Sequence, residues 1–309
     1  MKHRQGVWLM VLCTLMWSIA GVVTRWLHSA RGFEITFWRA VFCALTLVVL
    51  LGWLRGPAAL WRTLRNGDRA FWISALCWAT MFTAFMLALS LTTVANVLIT
   101  MSLGPLLTAL GARLFLGHRL PLRTWGAIVV AGIGIAWMYG HEVGFAGGSH
   151  WLGVLVALGV PIAAATNWTL MQHLHHGPGL DDGDSEDEAG DMLPAVLAGS
   201  LLSAAVTLPL ALPLAATPHD LGWLALLGSV QLAIPCLIAM AVSRVLKAPE
   251  ISLLALLEVV FGVLWAWLGA GEEPSAAVLG GGGLVLAALV GNEWLAMRPR
   301  PDQSSASYI

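Results

Sequence analysis

Glu258 lies about eight residues into an apolar run of helix length, roughly 12 Å deep in a hydrocarbon core of about 30 Å. A charge at the centre of a membrane helix costs about 2.5–3.5 kcal/mol even on the lenient insertion scale, so the group is expected to face the protein interior and to have a partner. Its helical face agrees: Glu258, Gly262, Ala266 and Ala270 recur every fourth residue, and small side chains on one stripe let helices approach closely. The chemistry this position suggests is proton exchange or cation binding. The plainer alternative is a carboxyl that only fixes helix packing. Arg39 is the second ionisable residue inside a run, on a face shared with Thr36, Cys43 and Thr46. A permanent cation with a planar fork suits a substrate carboxylate or phosphate. Only about five residues from the end of its helix, Arg39 also has the reach to snorkel to the interface. The depths of Arg39 and Glu258 match poorly, so no direct pair is expected.

Weaker candidates for substrate contact are Trp17, Ser18, Asn96, Asn167 and Gln231, with Thr14, Ser18, Gly21 and Arg25 sharing one face of the first helix. Polar bonds between membrane helices average about 0.6 kcal/mol, so packing is the plainer role for Asn167 and Gln231. Trp26, Trp53, Trp125, Trp151, Trp223 and Trp294 fall near run ends, as an interfacial belt requires, whereas Trp17, Trp78 and Trp265 are deeper and suit an aromatic cavity. The four cysteines, Cys13, Cys43, Cys77 and Cys236, all lie inside runs and read as small packing residues.

The elements that carry these residues follow from composition. Of 309 residues 58% are hydrophobic and only 11% charged, too few charges for a water-soluble surface. The fold class is all-α integral membrane protein. Reading from charge to charge gives ten spans: 5–25, 35–54, 70–89, 93–114, 122–140, 151–172, 192–214, 221–243, 250–270 and 275–293. The N-terminal run resembles a signal peptide in its basic start and Ser18-Ile19-Ala20, but it continues to Thr24 and is long enough to span. With the N-terminus inside, the inner segments hold Lys2, Arg4, Arg55, Arg62, Arg65, Arg69, Arg113, Arg119, Arg123, Arg244, Lys247, Arg298 and Arg300, and the outer ones only Arg25 and Arg31. That bias places both termini in the cytoplasm.

The chain repeats. Val94–Tyr139 lies over Ala248–Glu293, with Gly104 on Glu258, Gly117 on Gly271 and Gly126 on Gly280. Five helices per half is an odd number, so the second half must cross the membrane in the opposite sense. The charges at the turns fit: His118-Arg119 falls inside and its counterpart Glu272-Glu273 outside. The expected architecture is ten transmembrane helices as two inverted five-helix repeats, 5–140 and 151–293. Residues 173–191, rich in acids and glycine, read as a disordered cytoplasmic loop, and 298–309 as a cytoplasmic tail.

These residues carry a family resemblance. Phe37-Trp38-Arg39-Ala40, Ser102-Leu103-Gly104-Pro105-Leu106, the run Leu114-Phe115-Leu116-Gly117-His118-Arg119-Leu120, and Leu256-Leu257-Glu258 followed by Gly271-Glu272 resemble the EamA domain of the drug/metabolite transporter superfamily, in two copies over nearly the whole chain. The resemblance implies a ten-helix carrier of small organic molecules, often outward, with a central site between the repeats. Similar proteins often have Pro after the second-half Glu, whereas here it is Val259, so proline supplies a helix break in the first half only, at Pro105.

The expected function is secondary transport, as an exporter of a small metabolite or drug by alternating access, with proton exchange through Glu258. The expected location is the plasma membrane, the inner membrane if the chain is bacterial. Expected partners are a small-molecule substrate, protons or another coupling ion, and the lipid bilayer, but not nucleic acid. No cofactor is expected, and the absence of GxxxxGK[ST] argues against ATP drive. An intramembrane enzyme would need clustered His, Asp or Glu at one depth, and the runs hold one clear deep acid. A divalent-metal transporter using His173, His175, His176 and the acids that follow would want further ligands inside the membrane, and so no metal site is expected.

Overall fold

Backbone amides in lipid find partners only within their own helix, so long apolar runs have one stable outcome. The computed structural model describes residues 1–24, 26–92, 94–117, 121–140, 150–176, 192–270 and 275–297, and among these every regular element is a helix. In chain order they are α1 His3–Ser18, α2 Ala20–Thr24, α3 Phe33–Arg55, α4 Pro57–Asn66, α5 Arg69–Leu91, α6 Val94–Met101, α7 Gly104–Leu116, α8 Leu122–Tyr139, α9 His150–His176, α10 Leu193–Ala211, α11 Pro218–Leu226, a π-helical segment Leu227–Ala233, α12 Ile234–Val242, α13 Ala248–Ala255, α14 Leu257–Ala270 and α15 Ala276–Met297. The protein is a multi-pass membrane protein. Eight stretches are long and apolar enough to cross a bilayer, and they coincide with eight of the expected spans. The remaining two expected spans, the fifth and tenth, correspond to the shorter apolar stretches Leu122–Met138 and Ala276–Asn292. The turns at His118-Arg119 and Glu272-Glu273, the acidic segment 177–191 and the tail 298–309 lie outside the described residues.

Several spans are interrupted. α1 gives way to α2 at Ile19, where Ser18 Oγ donates to the Leu15 carbonyl (2.7 Å), a back-bond that bends helices. α6 stops at Ser102-Leu103 and α7 restarts with Pro105 in its first turn. The ninth span is also broken, at Leu256 between α13 and α14, although it has no proline there. Tight turns replace the proline: Leu256 N–H bonds back to the Leu253 carbonyl (3.2 Å) and Val259 N–H to that of Leu256 (3.1 Å). The connection 55–69, read from sequence only as basic and cytoplasmic, contains the amphipathic helix α4, with Leu60 buried and Trp61, Arg62 and Arg65 exposed. Such a helix suits the membrane surface.

The interior is built by α1, α3, α5, α9, α10, α12 and α13, where Met10, Leu47, Leu51, Met171, Leu197 and Ile251 are fully buried. Trp53, Phe115 and Leu122 are more than four-fifths exposed, as lipid-facing side chains would be. α3 packs on α10, α5 on α9, α1 on α12 and α14, α7 on α9 and α13, and α8 on α15. The last pair meets through glycine: a Cβ on Gly281 would strike the Gly134 carbonyl and the Met138 side chain. Gly281→Leu is therefore expected to force α8 and α15 apart and destabilise the protein by about 1–3 kcal/mol. Gly283→Leu meets no atom within 4 Å at its Cβ and should leave stability unchanged. Thermal unfolding of the two variants in detergent checks the difference.

Candidate functional site

Arg39 is buried, with 6% of its surface exposed, and does not snorkel. Its Nη2 donates to Gln231 Oε1 (2.9 Å), and Gln231 Nε2 donates in turn to the Trp17 carbonyl (3.0 Å). Each link has a local cause. The Trp17 carbonyl stands at the end of α1, where the break removes the helix's own continuation. Gln231 sits in the π-helical segment, whose wider turn re-aims side chains. That segment reaches α3 because Gly228 has no side chain: a Cβ there would lie 2.7 Å from the Arg39 carbonyl and 2.5 Å from Phe42 Cβ. Thr46 and Ser229 share a hydroxyl–hydroxyl bond (2.7 Å) across the same contact. Arg39 Nε and Thr36 Oγ1 have no hydrogen-bond partner among the described residues, so the guanidinium keeps donor capacity.

Ser18 extends the chain of contacts. Its hydroxyl accepts from Trp265 Nε1 (3.0 Å), tying the break in the first span to α14. Glu258 is the second residue of α14, in the first turn after the break at Leu256, where free amide groups and the helix dipole favour a negative charge. It is half-buried and forms no hydrogen bond and no ion pair within 4.0 Å among the described residues, although Arg39 and Cys13 are close enough to interact with it electrostatically. The stripe around it departs from the expectation of close helix packing. A Cβ on Gly262 would meet nothing within 4 Å, so this face of α14 borders open space. In the first half, Gly104, Thr108 and Ala112 are buried, and a Cβ on Gly104 would lie 3.4 Å from Ser252 Oγ. The first copy of the stripe packs; the second leaves room at Gly262.

Trp17, Ser18, Arg39 and Gln231 thus form one network, with Glu258 within electrostatic reach of it. Asn96 and Asn167 make their contacts elsewhere. Asn96 is buried and donates to Thr92 Oγ1 (2.8 Å). Asn167, on α9, accepts from Ser74 Oγ of α5 (2.7 Å), and its Nδ2 lacks a partner among the described residues. Trp265, which sequence reasoning placed only among the deep tryptophans, proves to be a direct partner of Ser18. Two buried acids escaped it. Glu34 Oε1 accepts the amides of Ala215 and Ala216 (2.8 Å each), and Asp220 accepts those of His28, Ser29 and Ala30 (2.8, 3.0 and 3.2 Å). The signal for Asp220 was legible, since Thr217 and Asp220 have the spacing of a capping box.

Among solved structures, one described only as the crystal structure of a protein matches with a TM-score of 0.74 at 15% identity, covering 96% of this chain and 100% of the other. At that identity the likeness establishes the fold alone. No protein of curated function matches the chain. Residues 4–140 match the family model described as the EamA-like transporter family, on the half that supplies Trp17, Ser18 and Arg39 to the network. By that match the first half of the chain is similar to the EamA-like transporters, a family of the drug/metabolite transporter superfamily.

Proposed function

We propose that the protein is a secondary carrier that exports a small organic molecule by alternating access, with Glu258 as the proton-exchanging group and Arg39 as a substrate-binding cation. The observation that carries this reading is the network between the halves. A buried guanidinium with an unused donor and a half-buried carboxyl, neither bonded to the other and both with free capacity among the described residues, converge from α3 and α14 on the interrupted first span. Broken helices at such a point leave backbone groups to be satisfied by substrate or ion. An intramembrane enzyme or a carrier of divalent metal would need several ligating or nucleophilic groups here. The network offers one carboxyl, one guanidinium, an amide and a hydroxyl.

The proposed architecture is ten spans in two inverted repeats, with α8 and α15 as the fifth and tenth and both termini in the cytoplasm of a cell bounded by the carrier's own plasma membrane. Packing supports it. Exchanging each span for its counterpart turns the contact of α1 with α12 into that of α9 with α5, and turns α7 with α9 into α14 with α1. The pairs α3–α10 and α8–α15 map onto themselves.

Two experiments test the reading. Cells overproducing the protein, challenged with amino acids, nucleosides, organic cations and toxic analogues, should gain resistance to or export at least one class, and an unaltered profile across the panel would count against export. Arg119→Cys and Glu273→Cys should label with an impermeant thiol reagent from opposite sides of the membrane, the four native cysteines being buried. Labelling from the same side would sink the inverted repeat.

A further inference from the structure

We propose that His28, His219 and Asp220 form a binding site for one divalent transition-metal ion of borderline softness, such as Zn2+ or Ni2+, that ties the connection after the first span to the start of the eighth. The site is separate from the Arg39–Gln231 network, and the proposal does not rest on the transport reading. Each of the three residues offers one donor atom, and these atoms lie within 4.8 Å of one another. They come from both halves of the chain: His28 follows α2, while His219 and Asp220 open α11. Both imidazoles are exposed and stacked, their centroids 4.4 Å apart and their planes 8° from parallel, while the carboxylate beneath them is wholly buried.

Bond lengths of about 2.0–2.2 Å in a tetrahedral zinc site hold donor atoms roughly 3.3 Å apart. The three donors must therefore close by at most about 1.5 Å, which exposed rings achieve by side-chain rotation. Parallel rings do not aim their in-plane lone pairs at one point, so metal binding turns one ring out of the stack. Asp220 is held for the role. Its Oδ2 accepts the amides of Ser29, Ala30 and Thr217, which fix the carboxylate as outer partners of metal ligands do. Among the described residues its Oδ1 accepts only the His28 amide and lies 3.7 Å from His219 Nδ1, so a lone pair stays available on the imidazole side. Nε2 of His219 accepts from Trp223 Nε1 (3.2 Å), an exposed bond that a metal at Nδ1 displaces by shifting the ring proton. A cavity of about 430 Å³ lined by Trp26, His28, His219 and Trp223 opens over the cluster, leaving access for the ion and room for a water as fourth ligand. Two imidazoles and one carboxylate suit zinc or nickel, whereas magnesium and calcium require six or more oxygens.

The test uses the full-length protein purified in detergent and titrated calorimetrically with ZnCl2, with MgCl2 as the comparison ion. His173, His175 and His176 stand before the acid-rich segment 177–191 and could bind zinc independently, so the titration is run in parallel on a variant with all three changed to Ala. Expected is one zinc per chain in both proteins, no heat from magnesium, and at least tenfold weaker binding in His28→Ala and in His219→Ala. If an alanine variant melts lower than wild type without metal, His28→Gln and His219→Gln, which keep a polar side chain, take its place. Zinc binding that disappears in the triple variant, or that survives unchanged in both single variants, overturns the proposal, as does no zinc binding at all.

Discussion

Glu258→Gln is expected to abolish flux driven by a pH gradient, by tenfold or more, while the protein still reaches the membrane and melts at the wild-type temperature. The amide keeps the size and shape of the carboxyl but carries no exchangeable charge. Among the described residues no hydrogen bond or ion pair depends on that charge, and Glu258 borders open space beside Gly262. A carboxyl that merely fixed helix packing would show the opposite pattern, a lower melting temperature with flux per folded molecule unchanged. The measurement is uptake or efflux in vesicles with an imposed pH gradient, using whichever compound the substrate panel identifies. Glu258→Asp retains an ionisable group and should retain part of the flux. Undiminished pH-driven flux in Glu258→Gln would remove the coupling role from this residue.

The distribution of charge explains how much of this was legible beforehand. Arg69 to Arg113 is a long uncharged stretch, and a break had to be placed within it near Ser90–Thr93; the structure ends α5 at Leu91 and begins α6 at Val94. Span positions were readable because hydrophobicity and length are properties of the chain alone. Interruptions were readable only where a residue type forces them, as at Pro105. The break at Leu256 has no proline to announce it, whereas the π-helical turn at Leu227–Ala233 runs into Pro235, which lacks the N–H for an i→i−4 bond and crowds the Gln231 carbonyl. The same division holds for the site. Arg39 and Glu258 declared themselves as charges in apolar runs, whereas the role of Gln231 depends on Gly228 allowing α11 and its π-helical continuation to press against the Arg39 backbone. The stripe of small residues misled in the second half, because spacing places Gly262 on the face of Glu258 but cannot say whether a helix or an open volume lies opposite.

Asp220→Ala is expected to destabilise the protein by about 3–5 kcal/mol and to free the connection between the first and second spans. The buried carboxylate accepts the amides of His28, Ser29, Ala30 and Thr217, and a hydrogen bond to a charged acceptor contributes about 1.5–3 kcal/mol. The four are not additive, since one carboxylate serves them all, but alanine offers none of them a substitute acceptor. Glu34, capping Ala215 and Ala216 from the other side of the same junction, would remain, so the lost bonds are confined to the Asp220 side of the junction. Asp220→Asn keeps one carbonyl oxygen and should fall between alanine and wild type. Chemical denaturation in detergent gives the stability change, and amide hydrogen exchange over residues 26–32 gives its location. Removing the exposed imidazole of His219 costs the junction no amide acceptor, so its melting temperature should stay near wild type. A fall in His219→Ala equal to that in Asp220→Ala would mean that ring stacking, and not the carboxylate, holds the two halves together at this end.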